Sequence, residues 1–262
     1  MRNCIALLTD FGLYDPYVGL MKAVIQSKAT EVNLIDITHG INAQNIEHAR
    51  FILRKSLPFF PDDTTFLCVV DPGVGTDRLP IAIQTEKHNF IGPDNGLFTD
   101  IYELYREIEV RSIINEKIIL EDASSTFHGR DIFAPAAAFI AWGGEFTRIG
   151  EKLEIDNLVK SNEKVGISED KIQGKIIFSD HYGNLISNIE LEDLNFLNGD
   201  ELIIECKNHT LNKLNHTFSD VAQGELLAYV SSFNTLAIGA NHSNASEILS
   251  TRSGEGIVVK TA

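Results

Sequence analysis

Thr64-Thr65-Phe66-Leu67-Cys68-Val69-Val70-Asp71-Pro72-Gly73-Val74-Gly75 passes from an unbroken apolar run into a tight, glycine-bearing turn. Residues 64–70 are rich in β-formers and read as a strand. Asp71 opens the turn, and the glycines behind it either let a ligand approach the backbone closely or shape an ordinary structural turn. Working outward, Cys4–Thr9 and Val32–Ile37 are further apolar strands. Between them Tyr17, Leu20, Met21, Val24 and Ile25 recur at helical spacing behind Pro16, a good first-turn residue, with Asp15 as its N-cap. Residues 44–56 read as a second helix, 79–85 as a fourth strand, and the alanine-rich 131–142 as a helix with Pro135 near its start or at a kink. Gly92-Pro93-Asp94-Asn95-Gly96 is dense in turn residues. Strands alternating with helices predict an α/β domain whose largely parallel sheet is flanked by helices.

The pattern changes near Gly150. Residues 151–171 are polar and read as a connector. Short β-rich runs follow at 172–178, 201–206, 226–231, 235–239 and 256–260, separated by turns such as Asn198-Gly199-Asp200. That spacing predicts a small all-β, barrel-like domain. The expected division is 1–160 and 161–262.

Composition narrows the function classes. The 262-residue chain carries a formal net charge of -15, which argues against phosphate-backbone binding. No apolar run is long enough to span a membrane, and the N-terminal stretch turns polar too soon for a signal peptide. Cys4, Cys68 and Cys206 sit in apolar contexts and read as reduced, buried thiols of a cytoplasmic protein.

Two carboxylates, Asp10 and Asp71, directly follow predicted strands and should share one rim, where ligands bind in open α/β sheets. Asp10 suits a ribose diol or a loop cap. The segment Thr126-Phe127-His128-Gly129-Arg130-Asp131 adds an imidazole, and Arg78 a guanidinium; singly they read as a loop histidine and a surface ion-pair partner. Together with Asp71 they can hold and polarise a water molecule without a metal. No His-x-x-x-His or Cys-x-x-Cys spacing supports a metal site, and no Gly-x-Ser-x-Gly elbow supports a serine hydrolase. His209, His216 and His242 read as surface residues. Ser179-Asp180-His181-Tyr182-Gly183-Asn184 suits an amino-acid or adenine ligand, or an ordinary hairpin turn. Phe218, Ser232 and Phe233 lie in two further loops with aromatic and polar groups.

The ordered set Leu8-Thr9-Asp10-Phe11-Gly12, Asp36-Ile37-Thr38-His39, Val70–Gly75, Gly92–Gly96, Phe127–Asp131 and Asp180–Asn184 resembles the S-adenosyl-L-methionine (SAM) hydrolases, or SAM hydroxide adenosyltransferases, relatives of the fluorinases and chlorinases. The resemblance implies hydrolysis of SAM to adenosine and L-methionine by water attacking C5′. It implies catalytic roles for Asp71, Arg78 and His128, a ribose-binding Asp10, and Phe127 beside the reacting carbon. Asp180 falls on the position that meets the methionine amine. Tyr182, Asn184, Phe218, Ser232 and Phe233 fall on or near positions lining the adenine and methionine ends. No cofactor and no metal are implied, and the implied assembly is a homotrimer with SAM between the N-terminal domain of one subunit and the C-terminal domain of the next. The halogenating relatives carry a tyrosine in place of Asp71 and hydroxyl residues in place of Val74 and Gly129, so water is the implied nucleophile. The family's aromatic over the ribose has no counterpart around Ala43-Gln44. Because a carboxylate paired with a guanidinium is a weak base, His128 is the favoured proton acceptor, directly or through Asp71. The competing classes are a metal-dependent phosphoester hydrolase on the same acidic rim and a non-catalytic SAM or adenosine sensor.

Overall fold

The computed structural model describes residues 3–197 and 202–261, so the turn expected at Asn198-Gly199-Asp200 lies outside the described residues. The chain forms two compact units, Met1–Ser161 and Asn162–Ala262.

The first unit contains strands β1 (Cys4–Thr9), β2 (Asn33–Thr38), β3 (Thr65–Val69), β4 (Pro80–Thr85), β5 (Asn89–Pro93), β6 (Ile108–Ser112) and β7 (Lys152–Leu153). Its α-helices are α1 (Tyr17–Lys28), α2 (Ile46–Ser56), α3 (Ile101–Leu104) and α4 (Ala134–Ala141). The sheet order is β2-β1-β3-β5-β4-β6-β7. β1 and β3 are buried throughout and mostly apolar because both faces are covered. Ile5, Leu7, Leu67 and Val69 join a core with residues of α1 and α4. Ala6, Leu8, Phe66 and Cys68 join the opposite core with Ala49 and Leu53 of α2. Alternation along a strand sends neighbouring side chains to opposite faces.

The sheet is mixed, not largely parallel. β2, β1, β3 and β5 run parallel, whereas β4 pairs antiparallel with β5 and β6, and β6 with β7. A parallel crossover needs a dozen or more residues. The turn-rich link between β3 and β4 is too short, so β4 runs back and its hairpin partner β5 slots in beside β3. β5 occupies part of the expected turn segment. Gly92 is required there, since a Cβ would collide with the Cys68 carbonyl of β3.

Helix boundaries follow local chemistry. α2 starts at Ile46 because Asn45 caps it, accepting from His48 N at 2.9 Å. Gln44 cannot extend it, with φ at +64°. At α1 the cap position is Pro16, without a side-chain cap bond, so the Asp15 cap is not formed. A π-helical turn, Gly129–Phe133, leads into α4, which puts Pro135 in the first α-helical turn.

The second unit comprises β8 (Gly166–Ile167), β9 (Lys171–Ser179), β10 (Leu185–Glu190), β11 (Leu202–Cys206), β12 (His209–Leu211), β13 (Leu214–Asn215), β14 (Leu226–Val230), β15 (Thr235–Ala240) and β16 (Gly256–Thr261). A short α-helix, α5 (Ala245–Leu249), interrupts the β structure. The order is β12-β11-β16-β9-β10-β15-β14-β13, with β8 beside β9. The sheet curls until β12 lies near β14, giving a nearly barrel-shaped unit around Ile172, Ile176, Leu236, Ile238, Ile257 and Val259.

Candidate active site

The parallel strands β2, β1 and β3 end at one rim. β1 delivers Asp10 and Phe11, β2 leads to the loop holding Ala43 and Gln44, and β3 leads to Asp71 and Val74. With Tyr17, Phe127 and His128 these groups line a cavity of about 440 Å³.

At its wall Arg78 joins two partners. Its Nε lies 3.0 Å from each Asp71 carboxylate oxygen, and its Nη2 also donates to Asp71 Oδ2. The same Nη2 lies 2.8 Å from His128 Nδ1. Guanidinium nitrogens only donate, so Nδ1 is the acceptor and the neutral ring carries its proton on Nε2. Burial, reinforced by the Arg78 charge and opposed by Asp71 and Asp131, holds the His128 pKa below its ordinary value. The Asp71 and Arg78 side chains are only 5% and 9% exposed. Arg78 stacks on the Phe133 ring at 5.1 Å, and its Nη1 is buried with no hydrogen-bond partner among the described residues.

Two loops must meet for this cluster to form. Gly75 has φ +79°, and a Cβ there would sit 2.8 Å from the Ser125 carbonyl oxygen. The partner loop is anchored by fully buried Asp131, which accepts from Ser124 N at 2.8 Å and from Arg130 Nη2 at 2.9 Å. Arg130 in turn lies 5.1 Å over the Phe127 ring. Phe11, Tyr17 and Phe127 contact one another edge-on and form the apolar side of the cavity. Tyr17 reads from sequence as one of the apolar residues recurring at helical spacing, yet the residue is 45% exposed and lines the cavity. The available signal was an aromatic at a helix start just after a strand exit. Asp10 spends one oxygen locally, accepting from Gln44 N at 2.7 Å.

The remaining predicted residues belong to the second unit and divide there. Asp180 accepts from Tyr182 N and Asn184 N at 2.9 Å each and from Asn184 Nδ2 at 2.8 Å, so its carboxylate builds its own turn. Tyr182, Asn184 and Phe218 line a cavity of about 550 Å³ together with His242, Ser243 and Asn244. His242, expected at the surface, is exposed and also lines this cavity. Ser232 and Phe233 are not among its lining residues. They sit in the β14–β15 hairpin turn, where Phe233 contacts Phe178 at 6.1 Å. Among the described residues no group of three or more His, Cys, Asp or Glu side chains is placed to hold a metal ion. No helix among them is long and apolar enough to cross a membrane.

Fold and site together define a class: an α/β unit with a carboxylate–guanidinium–imidazole cluster at its strand ends, followed by a curled β unit. Two family models describe that pair of units. Residues 5–150 match the SAM hydroxide adenosyltransferase N-terminal domain and residues 174–258 its C-terminal domain. The chain belongs to the SAM hydroxide adenosyltransferase family. It is 32% identical to the (R)-S-adenosyl-L-methionine hydrolase of Thermus thermophilus, over 94% of this chain and 95% of the relative. A more distant relative, the fluorinase of Nocardia brasiliensis, is 26% identical over 99% and 97% of the two chains. Among solved structures, an uncharacterised conserved protein from Thermotoga maritima superposes with a TM-score of 0.89 at 35% identity, covering 98% of this chain and 99% of that one.

Proposed function

We propose that this protein hydrolyses SAM to adenosine and L-methionine by attack of water on C5′ of the ribose. The observation that carries the reading is the single guanidinium of Arg78 bound to both Asp71 and His128 beside the cavity that Asp10 shares. The sulfonium leaves as a neutral thioether and needs no acid, so the demand falls on the nucleophile, whose free pKa is ~15.7. Arg78 fixes Asp71 and His128 at the cavity wall, and the Nε2–H of neutral His128 orients the water. As the C–O bond forms, the attacking oxygen becomes strongly acidic, and a weakly basic carboxylate suffices to take its proton. That moves the acceptor role to Asp71, because His128 Nδ1 is already engaged by Arg78. Phe11, Tyr17 and Phe127 give the cavity an apolar side, and an apolar surround favours a polar nucleophile meeting a cation.

The first unit, in this reading, supplies the water-activating groups and the ribose carboxylate. The second supplies Asp180, Tyr182, Asn184, Phe218, Ser232 and Phe233 to the methionine and adenine ends. The working assembly is a cytoplasmic homotrimer in which SAM is held between the N-terminal domain of one subunit and the C-terminal domain of the next, without cofactor or metal. Neither phosphoester hydrolysis nor ligand sensing gains support from the relatives, which include hydrolases of SAM.

Incubation with SAM in oxygen-18 water tests the reaction. Adenosine and methionine should form in equal amounts with the label on the 5′ oxygen of adenosine. Label at any other position would refute attack at C5′, and tight binding without turnover would favour the sensor.

A further inference from the structure

A second chain of polar groups runs behind Asp10, away from the Asp71 cluster. Thr9, the last residue of β1, is completely buried, and His39, just beyond β2, is 5% exposed. His39 Nδ1 lies 2.8 Å from Thr9 Oγ1. Its Nε2 lies 3.1 Å from Asp36 Oδ1, off the line of a straight hydrogen bond. Asp36 Oδ2 accepts from Lys22 Nζ at 2.6 Å.

The direction of these contacts follows from donor chemistry. Lysine only donates, so Asp36 accepts. Asp36 is held ionised: partial burial works against this, but Lys22 and His39 keep its pKa below the usual value. A carboxylate beside Nε2 places the ring proton on that nitrogen. Nδ1 then accepts the Thr9 hydroxyl proton, and the free lone pairs of Oγ1 receive Phe11 N–H at 3.3 Å. The opposite tautomer would set a lone pair against the Asp36 carboxylate and take from the buried Thr9 hydroxyl proton its acceptor on His39, which is unfavourable for a buried donor.

This chain ends on both sides of Asp10. Phe11 N–H is taken by Thr9, and Gly12 N–H donates to the His39 carbonyl at 2.8 Å. One Asp10 oxygen is fixed by Gln44 N–H, from the loop that His39 begins. We propose that His39 is a positioning residue that aims the second carboxylate oxygen of Asp10 at the ribose diol of the adenosyl group, acting through Thr9. The proposal rests on the reading of Asp10 as the ribose-binding carboxylate.

Calorimetric titration of the full chain with adenosine and with 2′,3′-dideoxyadenosine tests it. Thr9→Val exchanges the hydroxyl for a methyl group of the same shape, and His39→Leu removes both ring nitrogens. Each should weaken adenosine binding about tenfold, equivalent to about 1.4 kcal/mol, while affinity for the dideoxy compound stays at its wild-type value. His39→Asn retains an acceptor for Thr9 and should restore most of the loss. Equal loss of both ligands would mean a general structural defect and would overturn the proposal. Unchanged adenosine affinity in Thr9→Val would overturn it too, even if His39→Leu failed to fold. Asp10→Ala separates the two readings. If it abolishes the preference for adenosine while Thr9→Val and His39→Leu keep it, the positioning role alone is wrong. If Asp10→Ala keeps the preference, the ribose assignment itself is wrong.

Discussion

Asp71 and Asp180 both follow strands closely, in turns that contain glycine, yet their carboxylates reach different distances along the chain. Asp71 is bound by Arg78, seven residues on, and through it is joined to His128, fifty residues beyond Arg78. Among the described residues the hydrogen bonds to the Asp180 carboxylate come from groups within four residues. A carboxylate held by its own turn maintains local backbone geometry. One held by a guanidinium that also grips a distant imidazole depends on the tertiary fold and serves it poorly as a structural bond, since a buried ion pair contributes little net stability. In the proposed reading the geometry at Asp71 serves the chemistry assigned to it, whereas Asp180 builds a turn to which a ligand can be added.

The largest expected effect tests the long-range cluster. Arg78→Ala should lower kcat for SAM about 10²–10³-fold, the usual loss when one preorganised donor is removed from a reacting centre. KM should change little, because Arg78 is set behind the cavity wall. Steady-state product formation, with circular dichroism to verify folding, measures both. Equal losses in kcat and in SAM affinity would place Arg78 in substrate binding and weaken the contrast.

Gly75→Ala comes next, because it attacks the contact that lets the two loops meet. An alanine would have to hold a left-handed φ and push back the Ser125 carbonyl, with backbone strain of order 1–3 kcal/mol. Activity should fall about tenfold or more, with SAM affinity less affected. Wild-type turnover would show that the approach of these loops does not set the cluster.

Asp180→Ala should reveal the local carboxylate's structural share. Loss of the charged acceptor should destabilise the ligand-free protein by about 1–3 kcal/mol, read from urea unfolding monitored on the second unit. No change in stability would leave ligand binding as its only role and remove half of the comparison.

How much of this was legible follows from the same distinction. Asp10 and Asp71 stand out in the sequence because strand exits beside glycines expose chemistry-bearing groups at predictable places, and His128 because it lies beside Gly129 in a segment rich in ionisable groups. Which carboxylate Arg78 grips is not written locally; Asp71 and Asp180 have similar neighbours and differ only in what the fold brings to them. The mixed sheet was hidden because Gly92 and Pro93 read as turn residues, although Gly92 is small to clear the Cys68 carbonyl in a strand pairing. His242 was hidden for a related reason. Its polar context reads as surface, and that surface becomes concave because the turn holding Tyr182 and Asn184, the loop holding Phe218 and the segment after β15 come together in the fold.

The smallest effect is a displacement on the pH axis, and it bears on how Asp71 and His128 divide their labour. In the neutral ring Nδ1 accepts from Arg78. Protonation would place a hydrogen on Nδ1 facing the guanidinium, breaking that bond and setting two cations together. The neutral form is therefore the competent one, and activity is lost as pH falls. Burial and Arg78 lower the His128 pKa, so kcat/KM should stay level through the ordinary histidine value of ~6.5 and decline only below it, at about tenfold per pH unit. His128→Asn, which keeps a hydrogen-bonding side chain but does not titrate, should lack that decline. If His128 were instead the base, as the sequence reading favoured, its Nδ1 would have to be freed from Arg78. The pair would then loosen during turnover, and His128→Asn would cost as much activity as Arg78→Ala.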